Sequence, residues 1–302
     1  VSVVIPTVGR STLVRAIASA LNQSAAPAEV IVCVDGDPAV DLWPFDDHAS
    51  VRVVHAGVGV GGNAARQAGI VAARSGIVAL LDDDDVWHAE KLRAQLDLAA
   101  TARGDRHWFA TCMLRPVTPT GGELGIVPRI KFEAGEDLPS YLFRKKTLRA
   151  PQGFIQSSTL MFPRSLAIDV PFDASLPFHQ DIGWLMDVYS RFPEIEVLQV
   201  DRPLVDLHLS PDSMISRITP DGSIRWARDR LSRYGRRLVA DFILTQTLEV
   251  ATRRPNATRE QLRVTGAAFR YGAPGVAVTA RALSIVCRSL LWRLRGERGE
   301  GT

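Results

Sequence analysis

Ile77-Val78-Ala79-Leu80-Leu81-Asp82-Asp83-Asp84-Asp85-Val86-Trp87 joins an apolar run directly to four consecutive aspartates. The run is short, is preceded by the turn signal Ser75-Gly76 and has no alternating polar face, so it predicts a strand buried on both sides. The aspartates are the informative part. Adjacent carboxylates repel one another, and a solvated loop has no need of them beside an apolar strand. Two readings stand. A hard divalent cation, magnesium or manganese, would compensate the charge and bridge to phosphate oxygens. Alternatively, Asp84 or Asp85 caps the helix expected over residues 89–102.

Working outward, the first hundred residues alternate strand and helix patterns. Residues 1–5 form an apolar strand ending at Pro6, and residues 10–21 follow with apolar positions at helical spacing and Ser11 or Thr12 available as a cap. Residues 30–34 read as a second buried strand closed by Asp35-Gly36-Asp37-Pro38, and residues 51–55 as a more exposed third. The glycine-rich stretch 57–62 precedes a helix over 63–73 that carries Arg66. This order predicts an α/β fold with a mainly parallel sheet covered on both faces. Ligands of such sheets gather beyond the carboxyl ends of the strands. Thr7, Asp35 and Asp82 to Asp85 each follow a strand and so share one rim.

The rest of the chain is less regular up to residue 216. Strands are expected over 108–114, 156–162 and 196–200, with a helix over 181–189, and the basic cluster Arg144, Lys145, Lys146 and Arg149 lies between the first two. From residue 217 onward the pattern is helical, with helices expected over 224–249, 259–269 and 276–294. Three parts follow: 1–102 and 103–216 as two halves of one domain, and 217–302 as a C-terminal helical region.

Composition excludes several classes. The 302 residues, 46% hydrophobic and 23% charged, suit a sizeable core rather than a disordered or collagen-like chain. Cys33, Cys112 and Cys287 are sparse and unpaired in sequence, which points to a reducing compartment and away from a structural zinc site. No secretory leader is visible, and the most apolar late stretch, 276–292, is interrupted by Arg281 and Arg288, so a cytoplasmic location without a membrane span is expected. The net charge of +3 is unevenly spread: residues 217–302 carry +10, leaving −7 for residues 1–216. Val276, Val278, Leu283, Val286, Leu290 and Leu294 place apolar positions among arginines, a pattern that fits peripheral membrane attachment at the inner face, packing on the body or a homodimer. The arginines lack the aromatic interleaving of a nucleic-acid surface, so no nucleic-acid partner is expected.

Further residues invite chemistry, each beside a plainer reading. The stretch 57–62 lacks the Gly-Lys-Ser/Thr of an ATPase phosphate loop and the dinucleotide spacing. Arg66 lies one helical turn beyond it and either reaches the same ligand or is a surface arginine. Asp181, preceded by His179-Gln180, is either a general base or a helix cap. His208 is either a metal ligand or a half-buried histidine, and Ser210, Asp212 and Ser213 beside it read as a polar loop.

Together these segments resemble the family-2 glycosyltransferases with a GT-A fold. The resemblance rests on Val3-Val4-Ile5-Pro6-Thr7, Leu21-Asn22-Gln23-Ser24, residues 30–36, Ala65-Arg66-Gln67-Ala68-Gly69-Ile70 and residues 81–87. It continues more loosely through Gly153-Phe154-Ile155-Gln156-Ser157-Ser158, Gln180-Asp181 and His208. It implies inverting, metal-dependent transfer of a sugar from a nucleotide-diphosphate donor to a hydroxyl of a glycan, a lipid-linked or a small-molecule acceptor, with 1–102 as the nucleotide-sugar-binding half and 103–216 as the acceptor-binding half of the same GT-A domain. By the same resemblance Thr7 and Asp35 lie near the nucleotide base, Arg66 near base or pyrophosphate, and Asp82 at ribose or metal. Asp84 is the first-choice metal ligand, Asp83 belongs to the same network, Asp181 is the general base, and His208 closes over metal and diphosphate. Gln67 stands where the family commonly has asparagine, and Asp35-Gly36 replaces the more usual acidic pair. The Gln-x-x-Arg-Trp signature of processive synthases is absent, because Gly222 stands where the glutamine would precede Arg225-Trp226. Two other functions stay open: a catalytically silent carbohydrate-binding or scaffolding protein of the same fold, and a sugar nucleotidyltransferase. The latter usually carries a glycine-rich basic loop after the first strand, where this chain has Pro6-Thr7-Val8-Gly9-Arg10.

Overall fold

The computed structural model describes residues 1–37, 40–104, 106–133, 135–144, 153–210, 218–254 and 256–299. Most of the basic cluster (Lys145, Lys146 and Arg149), together with Asp212 and Ser213, lies outside the described residues. The chain divides into two units. One comprises Val1–Phe132 with Phe154–Pro211, the other Glu133–Gly153 with Asp212–Thr302.

In the first unit β1 (Ser2–Thr7) leads to α1 (Leu13–Leu21), β2 (Glu29–Asp35), β3 (Val51–Gly57), α2 (Gly62–Ala72) and β4 (Ile77–Leu80). Then come β5 (Val86–Trp87), α3 (Lys91–Ala99) and β6 (Trp108–Val117). In the second unit α4 (Leu138–Phe143) follows, before β7 (Met161–Pro163), α5 (Arg164–Asp169), α6 (Gln180–Arg191) and β8 (Glu196–His208) complete the first. The sheet order is β3-β2-β1-β4-β7-β6-β8-β5. β1 pairs in parallel with β2 and β4, β2 with β3, and β6 with β8, whereas β7 is antiparallel to β4 and β6, and β5 to β8. This is an α/β GT-A-like fold with a largely parallel sheet. The apolar runs of β1 and β2 are buried along their whole length because helices cover both faces.

Helix α2 lies against β1 and β2 so closely that a Cβ on Gly69 would sit 2.4 Å from Cys33 Sγ and 2.6 Å from Val4 Cγ1. Only a residue without a side chain lets this helix approach, and Arg66 rides on it one turn earlier. Trp184 of α6 stacks on Phe172 at 4.6 Å and packs on Phe162 at 4.7 Å, which seats the helix bearing Asp181.

Several expectations are corrected. Residues 156–162 are not one strand: Ser157–Thr159 form a 3₁₀ turn before β7. The Gln156 side chain accepts from Ser158 N–H and Thr159 Oγ1 donates to Gln156 O, so local side-chain bonds outcompete strand pairing. Strand β8 runs on through Pro203 to His208, with its register against β6 shifting around Met113. Thr12 occupies the N-cap position of α1 but makes no capping hydrogen bond.

In the second unit the helix expected over 224–249 is interrupted. α7 (Pro220–Leu231) ends before a 3₁₀ turn, Ser232–Tyr234, and Gly235 at φ 104° redirects the chain into α8 (Arg236–Phe242). A π-helical segment, Ile243–Thr247, leads to α9 (Leu248–Thr252), then α10 (Ala257–Tyr271) and α11 (Val276–Gly299). Phe143, Trp226 and Phe242 form its aromatic centre. In α11, Val278 and Val286 are buried whereas Val276, Leu283 and Leu290 are exposed. Among the described residues no helix is long and apolar enough to cross a membrane.

Candidate active site

The site is built at the carboxyl ends of β1, β2 and β4. The last bond to β1 is made by Leu81 N–H to Val4 O at 3.0 Å, after which the aspartates turn away, with β5 following before α3 begins at Lys91. Glu90 holds the N-cap position of that helix. The four aspartates therefore do not cap it, and the capping reading of Asp84 and Asp85 is withdrawn.

Three of the aspartates are held by protein donors. Asp82 accepts from Arg66 Nη2 at 2.7 Å and from Gln156 Nε2 at 2.7 Å. Asp83 accepts from Thr7 Oγ1 at 2.6 Å and from Arg10 Nη1 at 2.5 Å, and Thr7 in turn accepts Gly9 N–H. Asp85, fully buried, accepts from Ser158 Oγ at 2.6 Å and from His208 N–H at 3.1 Å. Asp84 differs. Among the described residues no other side chain donates to its carboxylate, and the nearest cation, Arg10 Nη1, is 3.9 Å away.

Electrostatics follow from this crowding. Burial, followed by repulsion from Asp82 and Asp83, pushes the Asp84 carboxyl up to about 6. Burial, then Asp82 and Asp84, pushes Asp85 well above the usual carboxylate range. Burial also raises Asp83, with Thr7 and Arg10 opposing. The aspartate run therefore holds surplus negative charge, and Asp84 is the member to which no other side chain donates among the described residues, its own backbone N–H and the Arg10 charge only partly offsetting the rise.

Arg66 is no surface arginine: it is 7% exposed and also donates to Gln180 Oε1 at 2.9 Å and Asn63 Oδ1 at 3.3 Å. Burial alone would lower its basicity, but Asp82 and Asp181 together hold it above its ordinary value. Asp181 is not the cap of α6, since His179, in a left-handed conformation at φ 55°, occupies that position. Asp181 Oδ2 accepts Ser157 N–H at 3.0 Å. Its pKa is raised, chiefly by burial, with the Arg66 charge opposing.

The structure thus brings Thr7, Arg66, Asp82, Asp83, Asp84, Asp181 and His208 together around the aspartate run, with residues 156–158 linking Asp82, Asp85 and Asp181 and Thr7 and Arg10 holding Asp83. Gln156 and Ser158 bridge to the aspartates while Ser157 reaches Asp181. Asp35 lies at the end of β2 and points its carboxylate into the glycine-rich loop, accepting Val60 N–H and Gly61 N–H at 2.7 Å each. Two amides of that loop are therefore engaged by Asp35. His208 ends β8, and its Nδ1 lies 3.2 Å from the Asp206 carbonyl. A carbonyl only accepts, so Nδ1 carries the proton and the neutral ring leaves the Nε2 lone pair available. Burial, then the Arg15 charge, lowers the His208 pKa and favours that neutral form.

Arg10 carries part of this network without having been assigned a role from the sequence, and Gln156, Ser158 and Gln180 were expected only as members of matched segments, without individual partners. Single polar residues in loops have no periodic signal, and their partners lie up to 114 positions away. Gln67, at the departure from the family pattern, donates to Ala167 O and accepts Phe172 N–H, tying α2 to the segment around α5.

Residues 2–108 match the model of a family described as glycosyl transferase family 2. This part of the chain is homologous to family-2 glycosyltransferases. The chain is 27% identical over 220 residues to the amylovoran biosynthesis glycosyltransferase AmsB of Erwinia amylovora, covering 69% of each protein. It is 38% identical over 95 residues to the succinoglycan biosynthesis protein ExoO of Rhizobium meliloti, covering 30% of this chain and 27% of that one. Among solved structures, S. aureus TarS 1-349 superposes with a TM-score of 0.58 at 16% identity, covering 94% of this chain and 82% of that one. The same fragment in complex with UDP-GlcNAc gives 0.53 at 17% identity, covering 90% and 73%. At these identities the structural likeness concerns the fold.

A fit test for a divalent cation turns on the donor set. Among the described residues no three His, Cys, Asp or Glu side chains converge as a self-sufficient cage. Asp84, with no donor from another side chain among the described residues and a raised pKa, suits an ion held by one or two protein groups and completed by phosphate oxygens, the mode magnesium favours. The residues fit that mode and not an all-protein site.

Proposed function

We propose that this protein transfers a sugar from a nucleotide-diphosphate sugar to an acceptor hydroxyl, with inversion at the anomeric carbon. The observation that carries this reading is the network joining Asp82, Arg66 and Asp181 through residues 156–158, with Asp84 in the same aspartate run. It sets a surplus of negative charge and a buried carboxylate base within one site at the strand ends.

Asp181 is the base. A carboxylate whose pKa is raised by burial accepts a proton more readily, and Ser157 N–H holds one oxygen in place while the nearby Arg66 charge opposes the rise. Asp181 takes the acceptor hydroxyl proton as that oxygen bonds to the anomeric carbon, and the electron pair of the bond to the diphosphate departs with the leaving group. Attack opposite the leaving group inverts the centre. Arg66 offers a fixed cation to the departing diphosphate. Asp84, with His208 Nε2, is the proposed holder of Mn2+ or Mg2+, which when bound would offset charge on the diphosphate. Asp82 and Asp83 orient the donor with Thr7, and Asp35 shapes the loop beside the base.

The acceptor is a hydroxyl-bearing glycan, a lipid-linked sugar or a small molecule. A companion proposal concerns the second unit, which we read as a peripheral contact for anionic lipid. Arg259, Leu262, Phe269 and Arg270 are exposed on α10, in the arginine-rich region noted above, while Arg263 of the same helix is paired with Asp221 and Glu260.

The test is binding of UDP-, GDP- and dTDP-sugars with and without manganese. UDP-sugars come first, because the structurally similar TarS fragment is complexed with UDP-GlcNAc. Metal-dependent binding of one donor supports the proposal. Failure of every donor in folded protein favours the silent carbohydrate-binding reading, and formation of an activated sugar from a nucleoside triphosphate would favour the nucleotidyltransferase.

A further inference from the structure

Lys91 is a fully buried lysine, and the chemistry above does not use it. Its ammonium has two described partners: Gln95 Oε1 at 2.7 Å, one helical turn on, and the ring of Trp87, whose centroid is 3.9 Å away. Both partners reach the same short segment. Gln95 Nε2 donates to Thr159 O at 2.7 Å, and Trp87 Nε1 donates to Ser158 O at 2.8 Å. Thr111 and Thr159 share a further hydroxyl contact at 2.8 Å. The Ser158 and Thr159 carbonyls are thus tied to residues 87 and 95, while the Ser157 N–H and the Ser158 hydroxyl hold Asp181, Asp85 and the Asp82 amide.

An ammonium enclosed in the core is costly to bury, so an apolar side chain of the same length would be the simpler filling. What the lysine adds is direction. A glutamine amide has a donor end and an acceptor end of nearly equal shape. An ammonium has only donors, so it claims Gln95 Oε1 and leaves Nε2 aimed at Thr159 O. Burial lowers the Lys91 pKa to about 8, in keeping with enclosure without a carboxylate partner.

We infer that Trp87, Lys91 and Gln95 form a buried brace that positions the Ser157–Thr159 turn, with Lys91 a positioning residue acting through Gln95 on Asp181 and Asp85. The inference rests on the proposed transferase reading for its kinetic consequence, and on geometry alone for its structural one.

The experiment is a double-mutant cycle of Lys91→Met, Gln95→Met and the pair, read in two ways. Gln95→Met is expected to lower kcat roughly tenfold or more, since small misplacements of catalytic groups cost that much. Donor KM stays within about twofold. Because Lys91 acts through Gln95, the double variant matches Gln95→Met within about twofold rather than multiplying the losses. The second reading is amide hydrogen exchange: Ser157 and Ser158 exchange faster in every variant while β1 and β2 keep their protection. Multiplying kinetic effects, or unchanged kcat in folded variants, overturns the inference. If wild type shows no turnover, the transferase reading fails by itself and hydrogen exchange still decides: unchanged exchange at Ser157 and Ser158 refutes the brace.

Discussion

Replacing Asp84 by asparagine keeps the shape of the side chain and removes its charge. The carboxyl is raised from 3.8 to about 6, and its side chain is 26% exposed. A rise of about two units corresponds to roughly 3 kcal/mol by which the charged form destabilises the metal-free fold. The sign is fixed by linkage. A carboxyl that binds its proton more tightly when folded favours the folded state at low pH and loses that advantage as pH rises through the folded value. Below about 4 both states are protonated and Asp84 costs nothing; between about 4 and 6 the cost grows; above 6 it is complete. Asp84→Asn should therefore raise the melting temperature at pH 7.5 in chelator by roughly 5–10 °C for a unit of this size. The gain should vanish near pH 4. Manganese should stabilise the wild type more than the variant, since an ion bound only to the folded state adds stability by mass action. Circular dichroism melts of both proteins at several pH values measure all of this. A variant less stable than wild type at pH 7.5, or a gain undiminished at pH 4, refutes the reasoning that Asp84 bears unrelieved negative charge.

The remaining predictions concern catalysis, packing and the basic unit. Asp181→Asn should lose transfer by a factor of about 10² or more while donor affinity stays within about twofold, because it removes the base and keeps the Ser157 contact; calorimetry with donor beside a transfer assay tests this, and weak donor binding would sink the assignment. Gly69→Ala places a Cβ 2.4 Å from Cys33 Sγ and 2.6 Å from Val4 Cγ1. Overpacking of about 1–3 kcal/mol exceeds a helix-propensity gain of about 1, so urea melts should show a net loss of about 1 kcal/mol. Cosedimentation with phosphatidylserine vesicles at physiological salt should exceed that with neutral vesicles, and recovery entirely in the supernatant would dismiss the lipid contact.

Much of this arrangement was legible in the amino-acid order. Strands buried on both faces must be continuously apolar, so β1, β2 and β4 announce themselves, and an acidic run at the end of one cannot be hidden in a core. The apolar-then-acidic order therefore placed Thr7, Asp35 and Asp82 to Asp85 on one rim. Family resemblance singled out Arg66 and Asp181 among otherwise ordinary residues. The signal for breaking the long C-terminal helix was present too, in Tyr234-Gly235, since glycine alone adopts φ 104° without strain.

What the local pattern could not convey is which polar groups meet. Gln156-Ser157-Ser158-Thr159 reads as the start of a strand, because Ser and Thr carry no mark of the side-chain bonds that bend them into a turn. The two residues of β5 are too few to show a period, and only their pairing with β8 reveals them. Ser158 meets Asp85 across 73 positions and Gln180 meets Arg66 across 114. Asp84 and Asp85 are neighbours with identical side chains, yet Asp85 is buried and held by Ser158 and the His208 N–H while, among the described residues, no other side chain donates to Asp84. Periodicity is a property of the chain and survives in the sequence, whereas hydrogen bonding and the pKa of a carboxyl depend on burial and on distant partners, which exist only once the sheet and its helices have assembled.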